Sequence, residues 1–285
     1  MTPRTRLLAI DIDGTLLNSQ FELPAANIAA LRRAHTAGME LMLVTGRRHA
    51  FALPIAQQCG VPLWVISSNG AITKSITGEL FHREMLPLET AQRVCEHMAE
   101  FRQAMVITFD TEVERPLVLE RTAAFTGSIL GWMRKNAEHI REVAPIEQCL
   151  TSDPIQAMFC GPLAYMQRAY ARLSELNGEV TALRTEYPHR DLSIIDVLHR
   201  HCSKGIAIER WAAQRGITRA EIAAIGDNFN DIEMLQCAGS PFLMGNACDE
   251  LKQRGWRVVG THDEAGVAQV IDELLSSPSA TLLPR

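Results

Sequence analysis

The sequence predicts an α/β protein: a doubly wound parallel sheet with an inserted α+β domain. Three observations lead there. Short apolar runs alternate with helical stripes in the first third of the chain. The rhythm changes in the middle and then returns near the C-terminus. Several of the apolar runs end in polar, glycine-bearing segments, as strands do where an open α/β sheet binds its ligand.

Each element follows from local pattern. Leu7–Ile10 is a four-residue apolar run and reads as a buried strand. Residues 24–37 carry Ile28, Leu31 and Ala34 at helical spacing, with Gly38 as the stop. Leu41–Val44 is a second strand. Ala50, Leu53, Ala56 and Cys59 make the next helical stripe, closed by Gly60, and Leu63–Ile66 is a third strand. This βαβαβ order places helices on both faces of a parallel sheet. A hairpin is expected over 71–81 about Thr77-Gly78. Then come a helix over 88–102, a strand over 105–109, a helix in the 120s and early 130s, a strand over 155–159, a helix over 163–176 and a strand over 180–183. This stretch mixes helices and strands enough to form its own core, so an inserted domain is expected over residues 85–190, with residues 1–84 and 191–285 forming the main domain. The alternation resumes with strands over 193–198, 222–225, 242–244 and 257–259, and helices over 205–215, 230–237, 247–254 and 267–275. A frayed tail is expected from Ser276 to Arg285.

Composition narrows the function. The 285 residues are 47% hydrophobic and 21% charged, ordinary for a globular protein. The formal net charge of −5 offers no electrostatic reason to expect nucleic acid or an anionic membrane as a partner. Seven scattered cysteines without a Cys-x-x-Cys pair point to reduced thiols in a cytoplasmic protein. No apolar stretch approaches the ~18 residues of a membrane span, and the apolar run after Met1-Thr2-Pro3-Arg4 is too short for a signal-peptide core.

The chemistry gathers at strand ends. Asp11-Ile12-Asp13-Gly14-Thr15 follows the first strand, Thr45-Gly46-Arg47 the second, and Gly226-Asp227-Asn228-Phe229-Asn230-Asp231 the strand over 222–225. On a strand, residues two apart project together, so Asp11 and Asp13 would share a side if extended geometry continues through them. Any one of these segments is ordinary turn composition; three at one sheet edge are harder to explain that way. Asp11, Asp13, Asp227 and Asp231 would repel one another without a cation. A hard divalent ion suits them, and Mg²⁺ fits carboxylates plus substrate phosphate. Lys204, at a helix start, follows a strand of the same presumed sheet and is expected to reach the same edge and bind an anion, and the amides after Thr45 suit an anion.

As a set, these segments resemble the four motifs of the haloacid dehalogenase superfamily of phosphohydrolases, in order. Ser67-Ser68-Asn69-Gly70-Ala71 and Met244-Gly245-Asn246-Ala247 further resemble its Cof-like branch. The resemblance implies a Rossmann-like core with an inserted cap that closes over the site. It implies Asp11 as nucleophile and Asp13 as general acid and base. Mg²⁺ would be held by Asp11, the Asp13 carbonyl and Asp227, with Asp231 in support. Ile12 and Gly46 (through their amides), Thr45, Lys204 and Asn230 would hold the phosphoryl oxygens. Ser240-Pro241-Phe242-Leu243 departs from the small residues usual before Met-Gly-Asn-Ala, which touches packing behind the site.

Other residues admit plainer readings. Asn69 either borders the substrate or caps a turn. Arg190 either meets a second anionic group of the substrate or is an ordinary surface arginine. His199-Arg200-His201-Cys202 lacks the separated partners zinc needs and reads as a solvated loop. The expected function is hydrolysis of phosphate monoesters of small metabolites, such as sugar phosphates or phosphorylated cofactors, through an aspartyl phosphate. A phosphotransferase or mutase using the same intermediate, and a non-enzymatic sensor of phosphorylated ligands, are the alternatives.

Overall fold

The computed structural model describes residues 5–110 and 114–276. Of the expected frayed tail, residues 277–285 lie outside the described residues. Contacts divide the chain into two compact units, Met1–His82 with Ser203–Arg285, and Arg83–Cys202.

The first unit starts with β1 (Leu7–Ile10), α1 (Ala25–Thr36), β2 (Glu40–Val44), α2 (His49–Gln58), β3 (Trp64–Ser67), β4 (Ile72–Ser75) and β5 (Leu80–Arg83). The second unit adds α3 (Leu88–His97), β6 (Met105–Thr108), β7 (Leu117–Leu119), α4 (Gly127–Lys135), β8 (Ile140–Glu142), β9 (Gln156–Gly161), α5 (Leu163–Leu173), β10 (Val180–Tyr187) and β11 (Leu192–His199). The chain returns to the first unit through α6 (Lys204–Gln214), β12 (Ile222–Gly226), α7 (Ile232–Cys237), β13 (Ser240–Leu243), α8 (Asp249–Lys252), β14 (Arg257–Val258) and α9 (Gly266–Ser276).

The first unit is built on an eight-stranded sheet of order β14-β13-β12-β1-β2-β3-β4-β5. It is parallel from β14 to β3, with β4 antiparallel to β3. Alternation along β1 explains the two layers. Leu8 and Ile10 enter a core with α1, α2 and α9, whereas Leu7 and Ala9 enter a core with α6, α7 and α8. All four are fully buried, as expected of a central strand covered on both faces. The register Ile10↔Ile225 and Ile10↔Leu43 puts the carboxyl ends of β1, β2 and β12 side by side. The three polar segments therefore emerge at one edge.

The second unit carries a six-stranded sheet of order β10-β11-β9-β6-β7-β8, antiparallel except for β7 with β8. Helices α3 and α5 cover the face that buries Ile107, Phe159 and Ile195; α4 packs against the other face with Val106, Leu119 and Cys160. One expectation is corrected. The strand expected over 193–198 in the main sheet is β11, which pairs with β10 over Leu192–His199 and with β9 over Ser193–Val197. The return to the first unit thus falls at Ser203 and not at residue 191. An apolar strand bears no mark of the sheet it joins; its pairing partners, read here from register, decide.

Candidate active site

Asp11 ends the run of β1. Its amide donates to Ile225 O (3.0 Å), which fixes it between β1 and β12. Extended geometry does not continue past it. The chain turns at once through Ile12–Leu16, closed by hydrogen bonds from Leu16 N to Asp11 O (3.2 Å) and from Leu17 N to Ile12 O (3.0 Å). Gly14 makes the turn possible: its φ is +80°, and a Cβ there would lie 2.4 Å from Asp227 Oδ2. The two aspartates take different partners. Asp11 is 5% exposed among other carboxylates. Asp13 is gripped by Arg47, whose Nε donates to Oδ2 (2.7 Å) and Nη2 to Oδ1 (2.6 Å). Strand alternation is thus not what places them; the wide turn is.

Lys204 is fully buried, and its Nζ donates to Asp11 Oδ1 and Asp231 Oδ1, both at 2.6 Å. Ser203 starts its helix, its Oγ accepting from Ile206 N (3.2 Å). Asp231 is saturated: its Oδ2 accepts the amides of Asp227 (2.9 Å) and Asn228 (3.0 Å). Asp227 accepts from Thr15 Oγ1 (3.1 Å) and, at a longer 3.4 Å, from Asn246 Nδ2, which also donates to Gly14 O (2.9 Å).

Carboxylate oxygens of Asp11, Asp227 and Asp231 lie within 4.8 Å of one another. Three buried carboxylates face one ammonium. Burial, reinforced by Asp231 and Asp13 against the relief from Lys204, pushes Asp11 up to about 8. Burial and the neighbouring Asp11 and Asp231 also raise Asp227 well above the usual carboxylate range. Burial opposes the charge on Lys204, but Asp11 and Asp231 outweigh it and hold the ammonium charged. This donor set fits a hard divalent cation: all oxygen, anionic in excess, and with Asp231 already committed to Lys204 and two amides.

The expected anion-binding residues form the neighbouring wall. Thr45 is buried, with Oγ1 accepting from Arg47 N (3.1 Å). Asn230 is 7% exposed, and its Nδ2 donates to Asn69 Oδ1 (2.9 Å). A Cβ on Gly46 would sit 3.2 Å from Asn69 Nδ2. The Ile12 side chain is core, so only its backbone faces the turn. Asn69 is wholly buried, as are Lys204 and Thr45, and its Oδ1 accepts from Asn230 Nδ2. Arg190 belongs to the second unit, in the turn Pro188–Arg190, with its guanidinium 5.8 Å from the Tyr187 ring centroid. His199 Nδ1 lies 3.3 Å from a Glu84 carboxylate oxygen, and its ring meets that of His201 edge-on at 5.4 Å. Sequence reading gave no role to Thr15, Arg47 or Asn246. All three lie inside quoted motifs, and that adjacency was the available signal.

The comparisons with known proteins agree with this geometry. The chain matches the family model described as haloacid dehalogenase-like hydrolase over residues 8–271. Phosphatase YwpJ of Bacillus subtilis is 28% identical over 303 residues, covering 95% of this chain and 100% of YwpJ. Pyridoxal phosphate phosphatase YbhA of Escherichia coli is 29% identical over 271 residues, covering 94% of this chain and 97% of YbhA. The solved structure of a haloacid dehalogenase-like hydrolase from B. subtilis superposes with a TM-score of 0.78 at 26% identity, covering 95% of this chain and 100% of that one. An α/β sheet with three motif segments at its strand ends, Lys204 of the fourth reaching the same carboxylates from the start of α6, and a family model matching residues 8–271 make this chain a member of the haloacid dehalogenase-like hydrolases.

Proposed function

We propose that this hydrolase is a Mg²⁺-dependent phosphatase of small phosphorylated metabolites, working through an aspartyl phosphate on Asp11. The observation that carries the reading is the buried Asp11 carboxylate. One of its oxygens is held by Lys204, beside Asp227 and Asp231. Asp11, Asp227 and the Asp13 carbonyl would hold the cation, which when bound neutralises the carboxylates and the phosphoryl group.

The chain's own groups supply the rest. Asp11 attacks phosphorus with its carboxylate oxygen, and the bond from phosphorus to the leaving oxygen breaks. Asp13 gives that oxygen a proton, then takes one from the water that cleaves the aspartyl phosphate. Lys204, Thr45, Asn230 and the amides of Ile12 and Gly46 hold the phosphoryl oxygens, and such positioning supplies most of phosphoryl-transfer catalysis. Asp231 keeps Lys204 aimed and charged. The similarity to a pyridoxal phosphate phosphatase supports a small phosphorylated cofactor or sugar phosphate as substrate, and the inserted unit is proposed to select it.

Free thiols at all seven cysteines support a reducing, cytoplasmic setting. Among the described residues no helix is long and apolar enough to cross a membrane. The test is phosphate release from p-nitrophenyl phosphate and from a panel of phosphorylated metabolites. Release should need Mg²⁺, cease with a chelator and be lost in Asp11→Asn. Release that continues unchanged in that variant contradicts the reading.

A further inference from the structure

The segment Ser68-Asn69-Gly70 takes no part in the chemistry above, yet its backbone is the most unusual at this sheet edge. Three successive residues have positive φ: Ser68 at +47°, Asn69 at +51° and Gly70 at +111°. Side chains with a Cβ rarely adopt this region, and two such residues in a row persist only where the surroundings hold them. Those surroundings are the motif loops. Ser68 N donates to Arg47 O (2.8 Å) and Asn69 N to Thr45 O (2.9 Å). A Cβ on Gly70 would lie 2.3 Å from Ser203 O, so the turn abuts the start of the helix that carries Lys204. The Asn69 side chain accepts from Asn230 Nδ2 and lies against Gly46.

We infer that Asn69 is a positioning residue for the phosphoryl pocket. From a strained left-handed turn it fixes the Asn230 amide and the Thr45-Gly46 turn in the orientation that receives the phosphoryl oxygens. The inference rests on the proposed phosphate-binding role of Asn230 and Gly46. In the left-handed turn the Asn69 amide meets Thr45 O while its side-chain oxygen meets Asn230 Nδ2. Asparagine suits the place because it tolerates the left-handed region and carries an acceptor.

The test is a double-mutant cycle on the full chain with Mg²⁺ and p-nitrophenyl phosphate. It reads KM, kcat, the Ki of inorganic phosphate and the melting temperature. Asn69→Gly keeps the backbone conformation and removes the amide. It should raise KM and the phosphate Ki by roughly tenfold, the worth of one hydrogen bond, with a smaller change in kcat. Asn230→Ala should raise both as well, and adding Asn69→Gly to it should change nothing further. Asn69→Ser is the second variant should the glycine variant unfold, since Ser68 already occupies the same backbone region. Wild-type KM and Ki in Asn69→Gly, or effects that multiply in the double variant, overturn the inference while leaving the phosphatase reading intact. Wild-type KM and Ki in Asn230→Ala remove the phosphate role of Asn230 and the inference with it. A wild-type protein that turns over no phosphoester rejects the proposed function itself.

Discussion

At the residue scale, the site works by dividing acids among different partners. Asp11 and Asp231 share Lys204, Asp231 also accepts two amides, Asp13 is tied to Arg47, and Asp227 to Thr15 and Asn246. The identity of these residues was legible in the sequence because polar groups after buried strands have few structural uses. Their division was not, because it depends on the turn at 12–16 and on contacts across more than two hundred positions, such as Thr15 with Asp227. The pairing of Arg47 with Asp13 leads to a prediction. Arg47→Met should lower kcat/KM on alkyl phosphates by roughly tenfold to a hundredfold, part of the roughly hundredfold to ten-thousandfold that general acid catalysis supplies. Aryl phosphates, whose leaving groups need little protonation, should lose less. Arg47→Lys should recover only part, since an ammonium cannot make the two-pronged contact. Equal losses on both substrate types would mean that Arg47 does not orient Asp13.

At the element scale, the alternating strands and helices of the first unit follow closely from hydrophobic pattern, because each buried strand is flanked by a helix with a clear apolar stripe. The second unit is harder. Strands β7 and β8 are three residues each, too short to show a period, and fall on either side of the helix expected in the 120s and early 130s, where the pattern predicts no element. The helix expected over 88–102 stops at His97 and continues as a tighter turn over Ala99–Ala104. The helix expected over 247–254 shrinks to four residues. Strand β11 looked like a core strand and joins the other sheet. Its neighbour β9 supplies the stability test: Phe159 is fully buried in the centre of the second sheet's core. Phe159→Ala should cost about 3–5 kcal/mol. Urea unfolding followed by tryptophan fluorescence and circular dichroism checks the figure, and a loss under about 1 kcal/mol would deny Phe159 that central place.

At the scale of the whole molecule, protons and the divalent cation compete for the same carboxylates. Without the cation, burial raises Asp11 from 3.8 to about 8 and raises Asp227 too. The folded protein therefore binds protons that the unfolded chain has already released. The stability Asp11 contributes in this way is full below pH 3.8 and is lost as the pH rises through about 8, and Asp227 acts in the same direction. In a chelator, the melting temperature should decline between about pH 4 and about pH 8, and the rise produced by Mg²⁺ should grow over the same interval. A Mg²⁺ shift that is larger at the acid end would contradict the cluster as the cation site.

The central claim is that Asp11 carries the phosphoryl group. The most direct measurement is a rapid acid quench of a single turnover with a radiolabelled phosphate monoester and Mg²⁺, followed by peptide mapping. The account predicts a transient label on the peptide containing Asp11, released by hydroxylamine as an acyl phosphate and absent from Asp11→Asn. Full turnover with no label ever on that peptide, or with Asp11→Asn as active as the wild type, would contradict it.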